Sequence, residues 1–192
     1  MIHNKYNKVL RESLRGYDRE IYGRELDGKI GLSQKNIALT LDEMEKQGIL
    51  RSKTKGNTRF YSLNTNNSLL WRYLILAEVN KSIDFFNKHL KIKHIFENFS
   101  CSGIVFIFGS YAKGKEKKDS DLDILIVGKI DEKELEKKAK AHGIDISVKK
   151  TSKANFVKEI RKDSELMREV LENHVIIYGY EDFVKEVIKS RW

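Results

Sequence analysis

The sequence predicts an α+β fold in two parts, because helical and strand-like patterns follow one another in two different orders along the chain. Residues 5–64 show three helical patterns and then two short alternating arms around a Gly-Asn turn, which is typical of a β-hairpin. From residue 103 onwards, apolar strand-like runs alternate with helical patterns, which predicts a small mixed sheet packed against helices. The domain boundaries expected from these patterns are 1–66, 67–100 for a connecting helix, and 101–192.

The chain carries a surplus of positive charge, with 37 Lys and Arg against 28 Asp and Glu and a net charge of +9. Such a surplus is typical of proteins that bind nucleic acids or nucleotides, although lysine-rich surfaces also serve solubility alone. The single cysteine, Cys101, excludes an internal disulfide, and no Cys/His cluster has zinc-site spacing. Because the N-terminus lacks a signal-peptide core and no apolar run is long enough for a membrane span, we expect a cytoplasmic protein without a membrane partner.

Helices are predicted over residues 5–15 and 19–31, and a third one after Ser33. The third helix is the best marked, because Ser33 is a suitable N-cap and Gly48 lies where the C′ residue is expected. Its apolar residues recur every three or four positions, at Ile37, Leu41 and Met44. The hairpin arms follow directly, which makes one compact helix-and-hairpin unit.

This order of elements, with the stretch "GRELDGKIGLSQKNIALTLDEMEKQGIL" and the closing "RFYSL", resembles the winged helix-turn-helix of MarR- and ArsR-type transcription regulators. The resemblance implies that the third helix enters the major groove of double-stranded DNA while the hairpin, or wing, touches the DNA backbone. The residues it places at the DNA are Ser33, Gln34, Lys35 and Asn36 on the helix, and Arg51, Lys53, Lys55 and Arg59 on the wing. The alternative is a dimerisation or docking module whose basic hairpin is merely solvated.

A long helix is predicted from Ser68 to Leu90. Its first part, residues 69–77, is apolar on nearly all sides, and such a helix has to be buried on all sides. We therefore expect this part to pack between the two domains or in a homodimer interface, with Trp71 and Tyr73 as anchors. The alternative is an ordinary core helix of the second domain.

The strand-like run "GIVFIFG" at 103–109 leads into Ser110 and a helical pattern. A turn from a strand into a helix brings backbone N–H groups, a hydroxyl group and the positive end of the helix to one point, where an anion can bind. Gly109 and Ser110 are therefore candidates to bind a phosphate, although the pair alone is also found in ordinary turns. Neither a P-loop motif nor a dinucleotide-binding glycine motif occurs in the sequence.

Three aspartates on two predicted strands form a candidate metal site. Asp121 and Asp123 are at alternate positions of one strand, so their side chains lie on one face about 6.6 Å apart. Two neighbouring carboxylates repel each other, and oxygen ligands in this arrangement suit one or two Mg²⁺ ions. Asp145 alternates with apolar residues in "GIDISVKK", and it completes the cluster if that strand lies beside residues 122–127. Each of these aspartates, taken alone, is typical of an ordinary solvent-exposed surface residue.

The full pattern is Gly-Ser, ten further residues, Asp-x-Asp and a later strand aspartate, and it resembles the nucleotidyltransferase domain of the DNA polymerase β superfamily, in its minimal branch. The resemblance implies that Ser110 and the nearby backbone hold the β- and γ-phosphates of an NTP, and that Asp121 and Asp123 bind two Mg²⁺ ions. It also implies that Asp145 ligates the metal that activates the acceptor hydroxyl, or takes its proton. Lys113 occupies the position where such proteins often have Arg. Lysine retains a positive charge that can bind phosphate, but it lacks the bidentate hydrogen-bonding geometry of arginine.

The resemblance further implies transfer of AMP from ATP to an acceptor hydroxyl. The C-terminal stretch "SELMREVLENHVIIYGYEDFVKEVI" resembles the short tail of minimal enzymes, without the helical domains that hold a primer in larger relatives. Some minimal enzymes are antitoxins that transfer AMP to a tyrosine of a HEPN-type ribonuclease toxin, so a toxin protein is the expected partner. Two alternatives remain: a DNA-binding regulator that senses NTP without turnover, and transfer to a small molecule or a nucleic-acid end.

Overall fold

The computed structural model describes residues 2–99 and 101–191 of the chain. These residues form two compact units, of which the first ends at Ala77 and the second comprises Glu78–Arg191. The division lies within the segment that the sequence assigns to the connecting helix. None of the described helices is long and apolar enough to cross a membrane.

The N-terminal unit has a helix, a short strand, two further helices and a hairpin. Its elements are α1 (Ile2–Ser13), β1 (Ile21–Tyr22), α2 (Gly23–Leu26), α3 (Gln34–Lys46), β2 (Leu50–Lys55) and β3 (Thr58–Leu63). The strands form an antiparallel sheet in the order β1-β3-β2. The final part of the unit is the first half of helix α4 (Leu70–Lys88).

The predicted third helix and hairpin are confirmed. The side chain of Ser33 accepts a hydrogen bond from the backbone N–H of Asn36, which caps the N-terminus of α3. After α3, Gly48 adopts a φ of +68°, a left-handed conformation that favours glycine. The hairpin pairs Lys55 with Thr58, so Gly56 and Asn57 form a two-residue turn.

The predicted helix over residues 19–31 is wrong in its first part. Ile21 and Tyr22 form strand β1 and pair with Tyr61 and Phe60 of β3, and only Gly23–Leu26 is helical. The Tyr22 and Phe60 rings make an edge contact with centroids 5.3 Å apart. β-Branched and aromatic side chains pack well on a sheet, and this contact outweighs the local helical pattern.

Helix α4 is only partly buried within the single chain, and the expected packing of residues 69–77 between the two domains or in a homodimer interface stays a prediction. Leu70, Leu74 and Ala77 are buried, whereas Leu69 is 48% and Leu76 is 44% exposed. The helix also ends at Lys88, and a separate helix begins at Leu90. The predicted single helix from Ser68 to Leu90 is therefore divided near its C-terminal end.

The C-terminal unit contains the second half of α4 and a mixed four-stranded sheet in the order β6-β5-β4-β7. Strands β5 and β6 are parallel, and the other pairs are antiparallel. Its further elements are α5 (Leu90–Phe96), β4 (Cys101–Ile107), α6 (Gly109–Lys113), β5 (Leu122–Ile130), α7 (Glu132–Ala141), β6 (Ile146–Thr151), α8 (Lys153–Arg161), α9 (Glu165–Glu172), β7 (Val175–Tyr178) and α10 (Tyr180–Arg191). This mixed α/β arrangement agrees with the strands and helices predicted for this part.

Both faces of this sheet are packed against helices. On one face, Leu122, Ile124 and Ile126 of β5 join a core with α5 and α7. On the other face, the ring of Phe106 in β4 contacts Phe156 of α8 and Phe183 of α10. Burial on both faces holds the ends of β4 and β5 in fixed positions, and the candidate site lies at these ends.

Two ionisable side chains are buried together in this unit. His174 and Glu78 are both 0% exposed, and His174 Nε2 lies 2.8 Å from Glu78 Oε1. His174 Nδ1 lies 2.9 Å from the carbonyl oxygen of Val170. Burial and the charge of Lys81 lower the pKa of His174, and Glu78 offsets only part of this effect. The imidazole of His174 is therefore harder to protonate in the folded chain than in the unfolded one.

We expect the free energy of unfolding to fall as the pH drops below about 6.5, the ordinary pKa of histidine. In that range the unfolded chain takes up a proton at His174 more readily than the folded chain does, so protonation favours unfolding. Urea denaturation at a series of pH values measures the slope, with His174→Gln as the comparison and the exposed His94→Gln as control. Equal slopes for wild type and His174→Gln would contradict this account.

Candidate active site

The turn between β4 and α6 requires glycine at position 109. Gly109 has a φ of +70°, and a Cβ atom at this residue would lie 2.2 Å from Oδ2 of Asp123. The Asp123 carboxylate therefore lies directly against the Gly109 backbone, and the backbone N–H of Phe108 donates to the Asp123 carbonyl oxygen at 3.0 Å. Ser110, the other predicted phosphate ligand, follows in α6 and is half-buried. The Gly-Ser turn and Asp123 are thus one contiguous structure.

Strand β5 alternates as the sequence predicts. Leu122 and Ile124 are 0% exposed and belong to the core, while Asp123 between them lies on the opposite face and is half-buried. Asp121 immediately precedes the strand and is exposed. The two carboxylates are close enough for the charge of Asp121 to raise the pKa of Asp123.

The strand after Asp145 lies beside β5, as the sequence requires for a common site. The parallel pairing sets Ser147 of β6 opposite Asp123, and the N–H of Leu122 donates to the Asp145 carbonyl oxygen at 2.8 Å. The Asp145 backbone is therefore next to the start of β5, and its side chain is exposed. Strand pairing brings the backbones of all three aspartates to one end of the sheet.

The environment of Asp123 disfavours its negative charge. Burial is the largest cause of its raised pKa; a hydrogen bond from Ser147 and the charge of Lys149 lower the pKa, while Asp121 and Glu169 raise it. The Lys149 ammonium also lies over the Phe108 ring, 5.4 Å from its centroid. A half-buried carboxylate beside other carboxylates is stabilised by a bound cation.

The aspartates fit a divalent cation by charge and by donor type, since Mg²⁺ prefers carboxylate oxygens. Within residues 2–99 and 101–191, however, no group of three or more His, Cys, Asp or Glu side chains is arranged to hold a metal ion. Asp121 and Asp123 are the pair that the local structure favours, because the carboxylate of Asp123 is held against Gly109 beside Asp121. Asp145 approaches them through its backbone.

Residues 90–183 match the family model described as polymerase beta, nucleotidyltransferase. This match supports a nucleotidyltransferase domain in the C-terminal unit, and it includes the Gly-Ser turn and all three aspartates. Proteins of this family generally use an NTP and a divalent metal ion. No curated protein and no solved structure matches the chain significantly. The N-terminal unit lies outside the matched range.

Within the segment that matches the family model, Lys113 has a partner that the sequence did not indicate. Its Nζ lies 2.6 Å from Oε1 of Glu169 in α9. Glu169 also contributes to the raised pKa of Asp123, so its carboxylate is close to the candidate site. Glu169 lies on the half-exposed side of an amphipathic helix and belongs to no sequence motif. Only the tertiary structure shows that it is close to the candidate site.

The predicted DNA-contacting residues occupy two adjacent surfaces of the N-terminal unit. Ser33, Gln34 and Lys35 are exposed at the start of α3, with Asn36 half-buried after them. Arg51, Lys53 and Lys55 lie on β2, and Lys55 pairs with Glu20 at 2.5 Å. Arg59 on β3 forms ion pairs with Asp42, at 3.3 Å, and with Glu45, both of α3.

A cavity of about 430 Å³ lies between α3 and the hairpin. Its lining includes Gln34 and Arg59, which the sequence assigned to DNA, together with Arg24 and Asn57, which it did not. The acidic partners of Arg59 fix this arginine against α3. The DNA-contacting role of these residues stays a prediction.

The contact between Gly109 and Asp123 leads to a stability prediction. We expect Gly109→Ala to lower the free energy of unfolding by about 1–3 kcal/mol more than Gly114→Ala, because the new methyl group must displace Asp123. Gly114 is the matched control: its φ is +62°, and a Cβ atom there meets nothing within 4 Å. Both changes introduce the same left-handed strain of about 1 kcal/mol. Urea denaturation compares the two, and equal losses would show that Asp123 does not fill the space beside Gly109.

Proposed function

We propose that the C-terminal unit transfers a nucleoside monophosphate, AMP from ATP, to an acceptor hydroxyl group on a partner protein. The observation that supports this proposal most directly is the Asp123 carboxylate held against Gly109, beside Asp121, within the nucleotidyltransferase segment. This arrangement sets a phosphate-binding turn next to acidic side chains that need a cation.

In this proposal, Ser110, the backbone around Gly109 and the ammonium of Lys113 bind the β- and γ-phosphates. Asp121 and Asp123 would hold the Mg²⁺ ions, two in number, and Asp145 would join as a ligand or accept the hydroxyl proton. When bound, a divalent metal ion supplies charge stabilisation and a more acidic acceptor hydroxyl. The acceptor oxygen bonds to the α-phosphorus while the bond to pyrophosphate breaks, so catalysis comes mainly from positioning and electrostatics.

The proposed acceptor is a tyrosine hydroxyl of a HEPN-type toxin protein, in the manner of antitoxin enzymes. In support, the described chain after β6 contains only α8, α9, the edge strand β7 and α10, with no large helical domain that would hold a primer. A small molecule or a nucleic-acid end is the alternative acceptor. Mass spectrometry of the labelled product distinguishes these acceptors.

We expect the full chain, incubated with [α-³²P]ATP, Mg²⁺ and a co-expressed toxin candidate, to label the acceptor and release pyrophosphate. Asp121→Asn should lower the rate at least 100-fold, because the carboxylate pair would lose one member. Asp119→Asn, in the exposed loop before the site, is the matched control and should keep wild-type activity. Equal labelling by Asp121→Asn would refute the proposal, and nucleotide binding without turnover would favour an NTP-sensing regulator.

We further propose that the N-terminal unit is a winged helix that binds double-stranded DNA. The order helix, strand, helix, helix, hairpin and the exposed Gln34, Lys35 and Lys53 support this proposal. We expect binding to DNA from upstream of its own reading frame to weaken steeply with salt. Lys53→Gln should weaken binding and reduce the salt slope by about one, relative to Glu43→Gln on α3 as control. A gel-shift assay tests this, and unchanged salt dependence would argue for a docking module.

The third proposed partner is a second copy of the chain. Leu69, directly before α4, and Leu76 within it are seven residues apart and exposed, and Trp71 and Tyr73 between them in the sequence are half-buried. Apolar side chains at this spacing lie on one side of a helix and are covered when two such helices pack together. We expect light scattering to give the mass of a dimer, and Leu69→Glu with Leu76→Glu to give a monomer. A wild-type monomer at high micromolar concentration would exclude this interface.

A further inference from the structure

The cation proposed to bind phosphate already has an anionic partner. Lys113 is the last residue of α6, and its Nζ lies 2.6 Å from Oε1 of Glu169, which is 56 residues away along the chain. The loop after α6 holds three further lysines, Lys115, Lys117 and Lys118. Within the part of the chain that the structure describes, none of these three forms an ion pair. The structure thus distinguishes Lys113 from its neighbours.

The contact between Lys113 and Glu169 is weak enough to exchange. Their side chains are 34% and 42% exposed, and exposed ion pairs contribute little to stability. A phosphate group offers more charge and several acceptor oxygens to the same ammonium group. A triphosphate can therefore replace the Glu169 carboxylate without disturbing the fold.

Glu169 is also close to the acidic side of the site. Its charge is among the causes that raise the pKa of Asp123, together with burial and Asp121. The carboxylate of Glu169 thus contacts the cation of the phosphate-binding turn and is close enough to Asp123 for its charge to act there. The negative charge of Glu169 thus occupies Lys113, the cation that a bound triphosphate would need.

We propose that Glu169 is a positioning residue of the nucleotide site, whose carboxylate holds the Lys113 ammonium until the triphosphate replaces it. This inference rests on the proposed nucleotidyl transfer, because it takes an NTP as the ligand. Its consequence is that Glu169 lowers the affinity of the site for nucleotide. Removal of its charge frees Lys113 to bind the phosphates.

The experiment measures binding of α,β-methylene-ATP with Mg²⁺ to the full chain by calorimetry, since this analogue cannot donate its α-phosphate. We expect Glu169→Gln to lower Kd about 1.5- to 5-fold, the range that corresponds to an exposed ion pair. Glu172→Gln, an exposed glutamate at the end of the same helix, should leave Kd unchanged. In a Lys113→Met background, Glu169→Gln should lose most of its effect, because the cation that Glu169 and the phosphates share is absent.

The outcomes separate this inference from the function on which it rests. Binding by the wild type with an equal or higher Kd for Glu169→Gln overturns the role of Glu169 and leaves nucleotide binding intact. An equal gain in the Lys113→Met background also overturns it, since Glu169 would then act without Lys113. No binding by any variant overturns both proposals. A gain in affinity cannot come from a damaged fold, and thermal unfolding of each variant checks this directly.

Discussion

The packing of the Asp123 carboxylate against the Gly109 backbone is the constraint on which the rest of the candidate site depends. Space for that carboxylate exists only because residue 109 has no Cβ atom, and the antiparallel pairing of β4 with β5 keeps the two residues together. The parallel pairing of β6 then sets Ser147 beside Asp123. The backbone of the phosphate-binding turn and the acidic side chains are thereby held in one place before any ligand binds, as efficient positioning of a substrate requires.

The charges around this contact are poorly balanced within the protein itself. Burial, Asp121 and Glu169 disfavour the negative charge of Asp123, and Ser147 and Lys149 compensate only in part. Such an imbalance reduces stability, and it is typical of sites that gain their compensation from a ligand. A divalent cation would stabilise the carboxylates, and a triphosphate would engage the lysines. Residues 90–183 match the model of a family that generally uses both a divalent cation and a nucleoside triphosphate.

Local patterns predicted much of this structure. The cap at Ser33, the two-residue hairpin turn and the alternation of β5 depend on neighbouring residues, so they are visible in the sequence. The adjacency of β5 and β6 was also predictable, because a strand, a helix and a strand commonly form a parallel pair. Two features depend on distant partners and were missed. Ile21 and Tyr22 form a strand because of residues in β3, and Glu169 approaches Lys113 and Asp123 only through the packing of α9.

Metal binding tests the central claim most directly, since the claim is that Asp121 and Asp123 form an acidic pair in need of a cation. Titration of the full chain with Mn²⁺, followed by electron paramagnetic resonance, measures the free ion. The account predicts saturable binding that is lost in the double variant Asp121→Asn and Asp123→Asn and retained in Asp119→Asn. Equal Mn²⁺ binding by the wild type and the double variant, with both folded, would contradict it.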